Sequence, residues 1–228
     1  MTNRRTLMGM MASTAIALAA GNAAMAADVN LKMHGFLPLG ATIPAAIVQP
    51  WIDQVEANSN GRIEIDHFGT MALGGTPPEL FDQAVDGITD ISWTVIGYTP
   101  GRFPSTEVME LPFMVDDART ASSALWNLTE SQLMDTEFKD VKVLGTWVHG
   151  PGMFHTSDPV EVPSDLEGMK IRGGSRMVNQ LLEATGATGV GMPVPALPEA
   201  LSKGVVDGAT IPWEVTGTLK VPELVENH

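Results

Sequence analysis

One device in this chain is written twice. Pro78-Glu79-Leu80-Phe81-Asp82-Gln83-Ala84-Val85-Asp86-Gly87 reads as a helix with Pro near its start and Gly just past its end, and the apolar run Ile91-Ser92-Trp93-Thr94-Val95 follows. Downstream, Pro198-Glu199-Ala200-Leu201-Ser202-Lys203-Gly204-Val205-Val206-Asp207-Gly208 leads into Ala209-Thr210-Ile211-Pro212-Trp213-Glu214-Val215, again helix, Val-Asp-Gly, short strand and Trp. Any two α/β crossovers share a Gly-capped helix before a strand, so the echo admits that reading as well as one of two similarly built lobes. In the second reading each lobe sets a Trp just beyond a strand end, where open α/β sheets hold ligands.

The segments around the echo fit the same class. Val29 to His34 alternates as a strand, Ala45 to Asn58 carries Ile47, Val48, Trp51, Ile52 and Val55 at helical spacing, and Arg62 to Asp66 alternates again after Gly61. Strand, helix and strand in that order predict a parallel crossover. A helix is expected from Arg119 to Met134, a doubly buried strand from Val141 to His149, a strand over Met169 to Arg172 and a helix from Met177 to Gly186. The expected change of lobe falls near residue 124, giving lobe I over 27–123, lobe II over 124–210 and a return segment over 211–228. Val221 to His228 carries no terminating pattern, so the chain reads as cut short.

Residues 1–26 read as an export signal. Arg4 and Arg5 precede an apolar stretch from Leu7 to Ala20, and Ala24-Met25-Ala26 supplies the small-residue cleavage site. Gly21-Asn22 breaks the stretch before the roughly 20 residues a membrane span needs. The paired arginines also suit the twin-arginine route. Either route leads out of the cytoplasm, so the mature protein is expected to be exported. A formal charge of -14 argues against nucleic acid or an anionic membrane as partner. With 44% hydrophobic and 18% charged residues the chain is a globular one, and the lack of cysteine removes disulfides, thiol catalysis and cysteine metal sites.

Arg172 is the first candidate for binding, because it ends a strand against Gly173-Gly174 and its planar fork suits a carboxylate. The glycines leave room for a ligand to approach. Trp93 and Trp213 gain weight from the echo, Trp147 lies on a predicted strand without it, and Phe36 and Phe154 sit in adjoining loops. His149 and His155 stand too far apart for one helical face, and no His-Glu-x-x-His motif joins His34, His67 or His228 to them. Asp86 and Asp207 read as helix-ending residues rather than paired acids. Ser175 lies in no nucleophile elbow, and the glycines match no phosphate loop or dinucleotide fingerprint. Neither a catalytic residue nor a cofactor or metal site is expected.

Glu56 to Ile63, the loop Gly69 to Gly75, Leu111-Pro112-Phe113, Asp165-Leu166-Glu167-Gly168-Met169-Lys170-Ile171-Arg172 and the closing Gly204-Val205-Val206-Asp207-Gly208 together resemble the solute-binding proteins of tripartite ATP-independent periplasmic (TRAP) transporters. The resemblance implies a two-lobed, type II-like periplasmic-binding-protein fold in the α/β class, with a ligand cleft between lobes built on mostly parallel sheets. It also implies a non-enzymatic receptor for an organic acid, partnered by TRAP membrane subunits, with Arg172 pairing the carboxylate and Trp93, Trp213, Phe36, His149 and Phe154 around the ligand. Many members carry Asn-Pro after this Asp-Gly, where Ile211-Pro212 stands here with Trp213 beside it, a variation resembling members that take bulkier or aromatic acids. The family's chains run on for about a further third. The readings to set against the receptor are an exported acidic interaction protein and a His/carboxylate metal-dependent hydrolase.

Overall fold

Strand β1 (Val29–Gly35) pairs in parallel with β2 (Ile63–Phe68) on one side and β3 (Ile91–Trp93) on the other, so the first sheet has the order β2-β1-β3. The structure, a computed structural model, describes residues 27–115 and 117–228. The proposed export signal lies outside the described residues. Between β1 and β2 the chain makes the expected helical crossover, a π-helical turn over Pro44–Val48 running into α1 (Gln49–Asn58). Pro50 has no amide hydrogen, and the widened turn is closed instead by the Gln49 N–H donating to the Pro44 carbonyl. Asn60 and Gly61, both at positive φ, turn the chain into β2.

The second sheet has the order β4-β7-β5-β6, built from β4 (Met153–Thr156), β5 (Lys170–Gly173), β6 (Thr188–Gly191) and β7 (Gly208–Ile211). Its inner strands are parallel and β4 runs antiparallel along the edge. Helix α4 (Arg176–Ala184) covers one face, packing Leu182 on Ile171, Leu166 and Ala187. Ser175 caps it by accepting from the Val178 N–H.

Both halves of the sequence echo form the elements expected of them. Pro77–Glu79 winds into α2 (Leu80–Val85), turns at Gly87 and enters β3; α5 (Leu197–Ser202) turns at Gly204 and enters β7. The structure adds a correspondence by a different acid. Asp90 accepts from the Lys32 N–H at 2.8 Å while its own N–H donates to the Lys32 carbonyl, and Asp207 does the same with Lys170 at 2.8 Å. Each aspartate therefore clamps the entry of a strand to its parallel neighbour, and Asp90 rather than Asp86 is the counterpart of Asp207.

One expectation fails locally. Residues 142–149 form no strand: Leu144 and Trp147 are exposed, and among the described residues no strand pairs with them. An apolar run becomes a strand only where a partner takes its backbone hydrogen bonds. The helix α3 (Ala118–Leu128) runs unbroken through residue 124, and beyond it Leu133 and Phe138 still pack against Phe81 and Phe103 of the first half.

One core joins the two sheets. Met33, Ile52, Leu80 and Trp93 belong to the same buried cluster as Leu197, Ile211, Leu219 and Val221.

Candidate ligand-binding site

Each sheet changes winding direction beside its central strand. In the first, β1 is followed by β2 on one side while β3 returns to its other side; in the second, β5 is followed by β6 on one side while β7 returns to its other side. At such switch points the carboxyl ends of neighbouring strands open a crevice. Phe36 follows β1, Trp93 ends β3, Arg172 lies near the end of β5 and Thr210 near the end of β7.

Alternation along β5 sends Ile171 to the α4 face and Arg172 to the opposite face, in register with Ala209. There the Arg172 side chain is buried, with the residue only 4% exposed. Its Nε donates to the Met192 carbonyl at 2.9 Å and its Nη1 to the Thr210 carbonyl at 3.3 Å. Burial draws the guanidinium below its usual pKa, with Tyr98 beside it opposing the shift. Among the described residues no carboxylate pairs with this cation. A buried charge held by carbonyls and a phenol, with no counter-charge, retains much of its desolvation cost, which an incoming anion can offset.

Tyr98, beside the guanidinium, belongs to a group of aromatic rings. Phe36 stacks on Trp93 with centroids 4.7 Å apart and planes 11° from parallel, and meets Tyr98 edge-on at 5.6 Å. The Tyr98 hydroxyl accepts from the Val194 N–H at 3.0 Å. Burial raises the phenol pKa, while the Arg172 charge pulls it back. Phe36 also borders a cleft of about 260 Å³, lined from the first half by Leu37, Thr70 and Met71 and from the second by Pro195, Thr218 and Leu219.

Of the residues singled out in the sequence, Phe36 and Trp93 stack on each other, and Tyr98 links that pair to Arg172. Phe154 does not join them: paired with Thr210 across β4 and β7, it faces away from Arg172 and packs in the α4 core with Leu166 and Ile171. Trp213 opens α6 (Trp213–Thr216), is 51% exposed, and meets His155 edge-on at 4.8 Å and His228 at 5.6 Å instead of the Phe36 stack. His149 is exposed and its ring bonds the Gly150 carbonyl at 2.7 Å. His155 is buried, bonded to the Ile211 carbonyl and His228, so the two histidines do not converge. Gly173 and Gly174 serve the protein itself: a Cβ on Gly173 would stand 2.1 Å from Asn179 Oδ1, and one on Gly174 would stand 3.2 Å from Arg172 Nη1.

Two groups escaped the sequence. Tyr98 carried a signal of its own, as the single tyrosine of the chain. Glu107 and Glu110 carried none. They reach from the 3₁₀ segment Thr106–Glu110 to the start of α4, where Glu107 pairs with Arg176 and Glu110 accepts from the Ser175 hydroxyl at 2.5 Å.

The family model of the bacterial extracellular solute-binding proteins, family 7 (DctP), matches residues 38–228. The chain belongs to that family. A solved TRAP solute-binding protein from a marine metagenome, described as specific for aromatic acid ligands and holding 3-hydroxybenzoate, is 47% identical to this DctP-family chain with a TM-score of 0.86. The match covers 89% of this chain and 63% of that one. A TRAP solute-binding protein from Rhodoferax ferrireducens with copurified benzoate is 48% identical, with a TM-score of 0.83 over 86% of this chain and 61% of its own. The C4-dicarboxylate-binding periplasmic protein DctP of Rhodobacter capsulatus is 25% identical over 100% of this chain and 70% of its own. The chain thus spans about three fifths of the length of the two solved relatives. The two-lobed α/β binding-protein architecture expected from the sequence is the one these relatives share.

Proposed function

We propose that this chain is the ligand-binding part of a periplasmic TRAP solute receptor that takes an aromatic carboxylate and presents it to the membrane subunits of its transporter, without catalysing a reaction. The observation that carries the reading is the buried Arg172 guanidinium, held by two carbonyls, facing Tyr98 and paired with no acid among the described residues. It supplies the charge for a carboxylate, and the Phe36, Trp93 and Tyr98 rings beside it supply flat apolar surface for the body of the ligand. The relatives that hold benzoate and 3-hydroxybenzoate support an aromatic acid over an aliphatic one. The sheets meeting across this site suit the family's mode of action, in which bound acid favours one arrangement of the two halves.

A thermal-shift panel of benzoate, 3-hydroxybenzoate, mandelate, succinate and glucuronate tests it. Stabilisation by the aromatic acids at concentrations that leave succinate silent is the expected result. Stabilisation by succinate alone would keep the receptor and discard the aromatic preference. No shift with any acid, from a protein that melts cooperatively, would overturn the reading and favour an acidic interaction protein.

A further inference from the structure

Tyr98 sits in the 3₁₀ segment Ile96–Tyr98 that follows β3, yet its hydroxyl reaches the other half of the molecule. There it accepts from the Val194 N–H at 3.0 Å, while Arg172 donates to the Met192 carbonyl two residues away at 2.9 Å, so one short backbone segment positions both side chains. Arg172 is the charged group that faces the phenol. A phenolic oxygen offers two lone pairs and one proton. The Val194 N–H takes one lone pair, and the guanidinium can only donate, so the oxygen's acceptor side is turned toward these two groups. The proton must point elsewhere, and among the described residues it has no acceptor. Phe36, edge-on at 5.6 Å, is an apolar wall and takes no such bond.

We infer that the Tyr98 hydroxyl is a second anchor of the site, donating its proton to the carboxylate oxygen of the ligand that Arg172 pairs. The assignment rests on the carboxylate-receptor reading above. It gives the carboxylate one neutral donor from the first half and a charged fork from the second, so a bound acid ties the two halves through its own oxygens. It also favours carboxylates over anions that leave no oxygen free beside the guanidinium.

The single tyrosine makes the test clean. Calorimetric titration of benzoate into wild type, Tyr98→Phe and Arg172→Met separates the outcomes. Tyr98→Phe keeps the ring wall and should weaken benzoate roughly 10-fold or more, the loss expected for a hydrogen bond to a charged group. If wild type binds and Arg172→Met does not, but Tyr98→Phe binds as wild type does, the anchor is refuted and the receptor reading stands. If wild type binds no carboxylate, both fall. Biosynthetic replacement by 3,5-difluorotyrosine labels this one position with a more acidic phenol and removes any doubt over folding of the variant. Benzoate affinity of that protein should decline as pH rises through ionisation of the fluorinated phenol, while Tyr98→Phe stays flat over the same range. An unchanged profile would overturn the assignment, because a ring that only packs has no proton to lose.

Discussion

Replacing Arg172 by Met should leave the fold nearly as stable as it is and remove most of its affinity for an acid. In the unliganded protein the guanidinium contributes in opposite directions. Its burial, at 4% exposure, costs several kcal/mol. Its bonds to the Met192 and Thr210 carbonyls offset that by about 1.5–3 kcal/mol each. Methionine fills similar volume, lifts the desolvation cost and leaves the two carbonyls short of a donor, at about 1–3 kcal/mol each. The opposing contributions are of similar size, so the net change should stay within about 2 kcal/mol, or about 8 °C in Tm for a chain of this length. Binding has no such compensation. Losing one charge-assisted bond of about 1.5–3 kcal/mol lowers affinity roughly 10- to 150-fold. At an acid concentration 100 times the wild-type Kd, ligand stabilisation should drop from about 2.7 kcal/mol to between about 0.3 and 1.4 kcal/mol. Calorimetry and paired melting curves measure both quantities. A cooperatively melting Arg172→Met protein that binds benzoate within about threefold of wild type would refute the reasoning.

Four further substitutions probe the frame around the site. Asp207→Ala and Asp90→Ala each release a strand N–H from its clamp, so each should cost about 1 kcal/mol and lower Tm by about 2–4 °C, read by thermal melts; equal and negligible losses would mean water replaces the clamp. Gly208→Ala puts a methyl group 2.6 Å from the His155 carbonyl oxygen and 2.6 Å from Thr156 Cγ2, and overpacking of that kind should cost about 1–3 kcal/mol with β4 displaced from β7. The Glu110 carboxyl is raised above the ordinary carboxylate range chiefly by burial, despite its bond to Ser175. The folded state then holds that proton more tightly than the unfolded one, so stability from this group is present at acid pH and declines as pH climbs from the ordinary carboxylate value through the raised one. Glu110→Gln should therefore gain on wild type across that window and hold its advantage above it; parallel Tm profiles from pH 4 to 8 would contradict the assignment.

Local patterns in the chain were enough to mark most of the elements and to single out the candidate anchor. Alternation in Val29 to His34 and helical spacing through Ala45 to Asn58 reflect which side chains must leave water, and that requirement is written residue by residue. Pro and Gly bound both echoed helices for reasons confined to their own backbones. Arg172 was legible because a guanidinium at a strand end in a chain of net charge -14 is a local fact. Which side chains share a site was a different matter, decided by strand order and register. The pairing of Phe154 with Thr210 turned it to the α4 core, and the turn after Ile211 carried Trp213 onto His155 and His228 although its sequence context copies that of Trp93. Tyr98 and Val194 lie far apart along the chain and meet only because the two sheets share one core. The apolar run 142–149 shows the same division: its composition permits a strand, but a strand needs a neighbour to take its hydrogen bonds, and only the tertiary arrangement supplies or withholds one.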